Sequence, residues 1–197
     1  MKQITGFVLA GGKSIRIGQD KGLIQLNGKQ FVEHALSIAN QVCKETFIIA
    51  NSSKYKKFGA PVFADIYKEK GPAGGICTGL IHSKTNFNLV LGCDLPFVSV
   101  ELLKHLVNQV DKEHEAFVPV FQHLPQPLCA VYSKNSMIEF DKAIQEKKLK
   151  MQGILKGLKT KYITIDESLG FYSPDLFFNV NTKEDLEQII PKKLEFP

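Results

Sequence analysis

The sequence predicts an α/β protein in three layers, with a mostly parallel sheet carrying helices on both faces. Three observations support this. Short β-branched or apolar runs alternate with helix-patterned segments along most of the 197 residues, the pattern of strands joined by crossover helices. The runs at 4–10 and 88–93 are nearly continuous in apolar residues, as buried strands are. The composition, 44% hydrophobic and 23% charged, is that of a globular chain long enough for a substantial core. No repeat, low-complexity tract or linker interrupts it, so residues 1–197 are expected to form a single domain.

Strands are expected at 4–10, 46–51, 61–64, 88–93, 116–121, 128–132 and 162–165. Helices are expected at 31–40, 73–82, 100–111, 136–147, 151–158 and 183–190. The first strand feeds a glycine-rich loop. The second ends Ile48-Ile49-Ala50-Asn51 and the third Val62-Phe63-Ala64-Asp65. Gly71-Pro72-Ala73-Gly74-Gly75-Ile76 opens the helix at 73–82, with proline suited to a first turn. The strand at 88–93 runs into Asp94 and is stopped by Pro96. Ser99 caps the next helix, whose apolar face is Leu102, Leu103, Leu106, Val107 and Val110. Thr182 caps the last, with Glu184 and Asp185 in its first turn.

Charge and cysteine usage exclude several function classes. The formal net charge is +5 and the pI about 8.9, but the lysines are scattered and no aromatic-rich RNA-binding signature is present. A partner that is a small polyanion rather than nucleic acid follows. No apolar run approaches the length of a membrane span, and the N-terminus has no signal-peptide core. Cys43, Cys77, Cys93 and Cys129 are widely spaced, with no Cys-x-x-Cys pair. They read as reduced, mostly buried thiols of a cytoplasmic protein rather than as a metal site.

Arg16 is the single arginine among 25 basic residues. It lies in Leu9-Ala10-Gly11-Gly12-Lys13-Ser14-Ile15-Arg16-Ile17-Gly18-Gln19-Asp20-Lys21. A planar, forked donor retained against such a lysine bias suits phosphate or carboxylate binding. Gly11-Gly12-Lys13-Ser14 is not a Walker A loop, because the residue five before Gly12 is Phe7. Nor do Gly11, Gly12 and Gly18 fit the dinucleotide spacing. What remains is a long loop with turn glycines at one end and Asp20-Lys21 at the other, cationic at Lys13, Arg16 and Lys21. Exposed backbone N–H groups in such a loop can cradle anionic oxygens.

In a parallel sheet, ligands sit beyond the carboxyl ends of the strands. That directs attention to the residues after Ala10, Asn51, Ala64 and Cys93. Asp94, at a strand's carboxyl end, suits Mg2+ held between phosphate oxygens; it lies five residues before Ser99, too far to be a simple helix cap. Asn51 and Asp65 have the directional hydrogen-bonding groups to read a base or ribose, and are equally good turn formers.

The ordered set resembles the molybdenum cofactor guanylyltransferases (MobA), within the nucleotidyltransferases of GT-A-like fold. The resemblance rests on Leu9-Ala10-Gly11-Gly12 with Ser14, Arg16, Gly18 and Asp20-Lys21. It continues through Asn27-Gly28-Lys29, Ala50-Asn51, Asp65, Gly71-Pro72 with Gly74-Gly75-Ile76, and Cys93-Asp94 with Pro96. It ends at Phe178-Asn179-Val180-Asn181-Thr182. It implies a mixed sheet and transfer of GMP from GTP to the phosphate of molybdenum-bearing molybdopterin. Leu9, Ala10, Gly11 and Gly12 would then contact GTP, with Lys21 on its phosphates. Asn51 and Asp65 would hold the guanosine, Asp94 would bind Mg2+ and nucleotide, and Asn179 and Asn181 would face the pterin. It also implies a monomer that meets cofactor-biosynthesis proteins or target apoenzymes only transiently. Leu-Ala-Gly-Gly, rather than Leu-Ala-Ala-Gly, looks like the guanylyl members. Ile17 stands where the family usually has methionine, and Ile15 where a second loop arginine is common. The alternatives are a related cytidylyltransferase, a sugar-phosphate nucleotidyltransferase, or a binder without turnover.

The five histidines lie far apart, and no Ser-His-Asp or Cys-His arrangement is visible. A phosphate nucleophile needs neither, being largely ionised with a second pKa of about 6. The demand is alignment and cancellation of charge between two polyanions, a role for Arg16, Lys21 and Asp94. Arg16→Lys keeps the charge and loses the fork. Its steady-state turnover is expected to fall about tenfold or more; unchanged turnover would make the arginine an accident of composition.

Overall fold

The computed structural model describes residues 3–11 and 20–189. Its elements run β1 (Ile4–Leu9), β2 (Gln25–Leu26), β3 (Lys29–Gln30), α1 (Phe31–Ala39), β4 (Glu45–Ile49), β5 (Val62–Phe63), α2 (Gly71–His82) and β6 (Phe87–Gly92). They continue α3 (Val100–Asn108), β7 (Ala116–Phe121), β8 (Leu124–Pro125), β9 (Cys129–Ser133), α4 (Met137–Gln145), α5 (Met151–Gly157), β10 (Thr160–Ile165) and α6 (Lys183–Ile189). Short 3-10 turns at Lys21–Leu23, Ser53–Phe58 and Lys134–Ser136 fill connections.

The main sheet has the order β10-β7-β9-β6-β1-β4-β5, with β8 paired to β7 off this path. β1 is an interior strand parallel to both β4 and β6, and β5 lies parallel outside β4. β9 runs antiparallel between β6 and β7, and β10 is parallel to β7 at the far edge. The sheet is therefore mixed, and all its long strands were expected from the apolar runs.

Alternation along the strands sends side chains to two separate cores. Ile4 and Val8 of β1, Ile48 of β4 and Leu89 and Leu91 of β6 pack with Phe31, Val32 and Ala35 of α1 and Leu102, Leu103 and Leu106 of α3. On the other face, Phe7, Phe47, Ile49 and Val90 pack with Ile76, Cys77 and Leu80 of α2 and with Phe140 and Ile144 of α4. A two-residue side-chain period makes such a double-faced sheet out of nearly continuous apolar runs.

The differences from expectation have local causes. The β2–β3 hairpin and β8 are two residues per strand, too short for any hydrophobic period to show. Asn27 (φ 50°) and Gly28 (φ 80°) form the left-handed turn that closes the first of these. The helix expected over 136–147 ends at Gln145 because Lys147 turns to φ 59°, outside the helical region. The expected caps are present: Ser99 Oγ accepts from Leu102 N at 3.2 Å, and Thr182 Oγ1 accepts from Asp185 N at 3.1 Å.

α2 lies unusually close to β1. A Cβ on Gly79 would overlap the fully buried Phe7 ring, and one on Gly75 would stand 3.2 Å from Leu9 Cδ2. Gly153, exposed in α5, has open space around it. Gly79→Ala is therefore expected to destabilise the protein by about 1–3 kcal/mol in urea unfolding. Gly153→Ala should be neutral or stabilise by up to about 1 kcal/mol.

Candidate active site at the carboxyl edge of the sheet

The parallel ladders hold four strand ends at one level. Ala10 N donates to Ile49 O (3.1 Å), Ala50 N to Phe63 O (3.0 Å), and Cys93 N to Leu9 O (3.2 Å). Gly11, Asn51, Asp65 and Asp94 consequently leave the sheet along one rim. β1 is flanked by β4 on one side and β6 on the other, so the chain departs from it in both directions. That is the topological switch point at which open α/β sheets bind ligands.

On the β6 side, Lys21 Nζ donates to Asp94 Oδ2 at 3.1 Å and also to Asn181 Oδ1. Lys21 and Asp94 are 19% and 15% exposed in their side chains, so solvent screens the pair only in part. Val180 N donates to Asp94 O at 3.0 Å, which binds the 179–181 segment to the strand end. Asp185 Oδ2 accepts from Asn181 N and Thr182 N, both at 2.8 Å, and these bonds hold its carboxyl below the usual carboxylate range. The α6 cap thus orients the segment that carries Asn181. Asn179 Oδ1 is buried with no hydrogen-bond partner among the described residues.

On the β4–β5 side, Asn51 and Asp65 are joined directly. Asn51 Oδ1 accepts from Asp65 N at 2.9 Å. Asp65 Oδ1 accepts from Tyr67 N and from the Thr78 hydroxyl, each at 2.9 Å, and Thr78 Oγ1 in turn accepts from Ile66 N at 3.0 Å. One carboxylate oxygen is thereby saturated. Among the described residues, Asp65 Oδ2 and Asn51 Nδ2 have no such bond, which leaves an acceptor and a donor at the rim.

The structure therefore brings together Leu9, Ala10, Gly11, Lys21, Asp94 and Asn181 at the centre, with Asn51 and Asp65 as a pair beside them and Asn179 next to Val180. Gly12 and Arg16, together with Lys13, Ser14 and Gly18, lie outside the described residues. Asp94 does not cap α3; Ser99 does. Sequence reasoning missed two supporting residues. Thr78 is hidden in the apolar pattern of α2, and Tyr55 sits in a lysine-rich stretch that reads as surface, yet both are 0% exposed.

Among the described residues, the thiols are buried and the imidazoles of His34, His82 and His114 are engaged elsewhere. The four thiols are free and buried, and burial pushes Cys43 up to about 12 and Cys77 to about 11. None is poised as a thiolate nucleophile. His34 is buried against Leu26 O, His114 pairs with Asp111, and His82 stacks on Phe63. Among the described residues no three His, Cys, Asp or Glu side chains form a metal-binding group. A lone carboxylate is nonetheless the donor set Mg2+ accepts when phosphates and water complete its octahedron, so Asp94 fits that ion and would not fit a protein-caged metal.

A model of the MobA-like NTP transferase domain matches residues 6–161. The chain belongs to that family. The match runs from within β1 to the start of β10, and includes Lys21, Asn51, Asp65 and Asp94. Among relatives, a probable molybdenum cofactor guanylyltransferase of Bacillus cytotoxicus is 33% identical, over 98% of this chain and 99% of its own length. One of Flavobacterium johnsoniae is 33% identical over 96% and 97%. In structure, the chain resembles molybdopterin-guanine dinucleotide biosynthesis protein A from Archaeoglobus fulgidus. That match has a TM-score of 0.83 and 28% identity, covering 95% and 97% of the two chains. A CMP:2-keto-3-deoxy-manno-octonic acid synthetase at 13% identity and TM-score 0.74 shares the fold. The MobA-like chain is accordingly an enzyme, a nucleotidyltransferase with a three-layer fold.

Thr78→Val preserves shape and removes both hydrogen bonds of the hydroxyl. It leaves Asp65 Oδ1 short of a donor and Ile66 N short of an acceptor. Urea unfolding is expected to show a loss of about 1–3 kcal/mol.

Proposed function

We propose that the enzyme transfers the guanylyl group of GTP to the terminal phosphate of molybdopterin carrying molybdenum, with release of pyrophosphate. The observation that carries this reading is the junction of Lys21 with Asp94 and Asn181. One cation is held between the end of β6 and the segment bearing Asn179 and Asn181, across β1 from the Asn51–Asp65 pair. A donor nucleotide on one side and a phosphate-bearing acceptor on the other would meet there. The names of the relatives and the Leu-Ala-Gly-Gly form of the first loop support guanine and molybdopterin as the two partners.

In this reading, Asp65 Oδ2 accepts from the guanosine and Asn51 Nδ2 donates to it. The backbone of Leu9, Ala10 and Gly11 lines the approach of the phosphates, and Gly12 is assigned to GTP contact with them. Lys21 and Arg16 offset charge on the α-phosphate and on the departing pyrophosphate. Asp94 would hold Mg2+, which when bound supplies Lewis-acid stabilisation of the same charge. Asn179, whose buried carbonyl oxygen has no partner among the described residues, and Asn181 face the acceptor. An oxygen of the acceptor phosphate attacks the α-phosphorus as the bond to pyrophosphate breaks. The attacking oxygen is already ionised, so no protein base is required. The same reading takes residues 1–197 as one domain working as a cytoplasmic monomer. No helix among the described residues is long and apolar enough to cross a membrane.

With GTP, Mg2+ and molybdenum-loaded molybdopterin, the protein is expected to release pyrophosphate, and Asp94→Asn to reduce that rate by about a hundredfold or more. Equal turnover with CTP would overturn the guanine assignment. Full activity in Asp94→Asn would overturn the role given to the carboxylate.

A further inference from the structure

We propose that Tyr55 is a positioning residue for the phosphate side of the site: its hydroxyl ties together the residues on either side of the 12–19 segment and so sets Lys21 against Asp94. Tyr55 is 0% exposed and stands on the 3-10 turn Ser53–Phe58, just beyond Asn51. Its Oη donates to Ala10 O at 2.8 Å and to Asp20 Oδ1. Ala10 immediately follows β1, and Asp20 immediately precedes Lys21. One phenolic hydrogen is therefore shared between two acceptors that are ten positions apart in sequence and adjacent in space.

The fit around the phenol is built to match. Gly22 lies directly over it: a Cβ there would stand 2.5 Å from Tyr55 Oη and 2.9 Å from Cε1. Only glycine lets the Lys21–Leu23 turn close onto the ring. That turn is held by Leu23 N to Asp20 O (3.0 Å) and Ile24 N to Lys21 O (3.1 Å), so the backbone bearing Lys21 starts from the residue Tyr55 grips. Burial, followed by the bond to Asp20, raises the phenol well above the ordinary tyrosine range. The group remains a donor at any working pH. Without its hydrogen, the Ala10 carbonyl and Asp20 carboxylate would face each other as unsatisfied acceptors, and the arrangement would open.

The ligand side of this inference rests on the nucleotidyl-transfer reading; the contact does not. Tyr55→Phe keeps the ring and removes the tie. Amide exchange of Leu23 and Ile24 is expected to quicken about tenfold relative to the strand amides of Val90 and Leu91. The Kd for GTP should rise about tenfold, while that for guanosine, which has no phosphates, stays within about twofold. A residue with only a packing role would shift neither exchange ratio nor the GTP-to-guanosine affinity ratio, or would weaken both ligands alike; either result overturns the proposal. Asp20→Ala, at the half-buried end of the tie, is expected to give the same pattern and replaces Tyr55→Phe should that variant fail to fold. An unaltered protein binding neither ligand would overturn the nucleotidyl reading; exchange at Leu23 and Ile24 would then decide the tie alone.

Discussion

The interior position of β1, paired in parallel on both sides, is the constraint on which the site depends. Parallel ladders keep successive strands in a fixed step, and here they continue one residue past the strand ends through Ala10, Ala50 and Cys93. Residues far apart in sequence therefore emerge at the same height: Gly11 after β1, Asn51 after β4, Asp65 after β5 and Asp94 after β6. A slip of one residue in any of these pairs would also send a strand's apolar side chains to the wrong core. The same buried packing that stabilises the sheet thus sets the geometry of its rim.

Upon that rim, the pairing of Lys21 with Asp94 is better understood as placement than as stabilisation. Half-buried ion pairs gain modestly over solvation. What this one achieves is to aim a cation where strand β6 ends and to link it, through Asn181, to a segment 160 residues away in the chain. Hydrogen bonds from Val180 and into Asp185 secure that segment in turn. On the opposite side, the Asn51–Asp65–Thr78 chain uses up one carboxylate oxygen on the protein itself. Among the described residues only the second is left without such a bond, which narrows how the pair can meet a ligand.

Much of this was legible in the residues. Apolar runs marked every long strand, Ser99 and Thr182 marked helix starts, and the strand-end positions of Asn51, Asp65 and Asp94 marked where to look. Alternation into two cores followed from the same runs. What could not be read was anything whose signal is a contact rather than a period. Tyr55 appears as one aromatic among lysines, and Thr78 as a polar interruption of a small-residue helix. The two-residue strands β2, β3 and β8 have no pattern to detect.

By itself, then, the sequence determined the fold class, the order of the helices and longer strands, and the residue types available for phosphate chemistry. Local propensity and hydrophobic period act over a few neighbours and are written directly in the chain. Only the tertiary structure decided which of those residues meet: Lys21 with Asp94 and Asn181, Asn51 with Asp65, and Tyr55 with both Ala10 and Asp20. Such contacts depend on the register of parallel strands and on close approaches at Gly22 and Gly79. Those are properties of the packed chain, set when two faces of one sheet are buried at once.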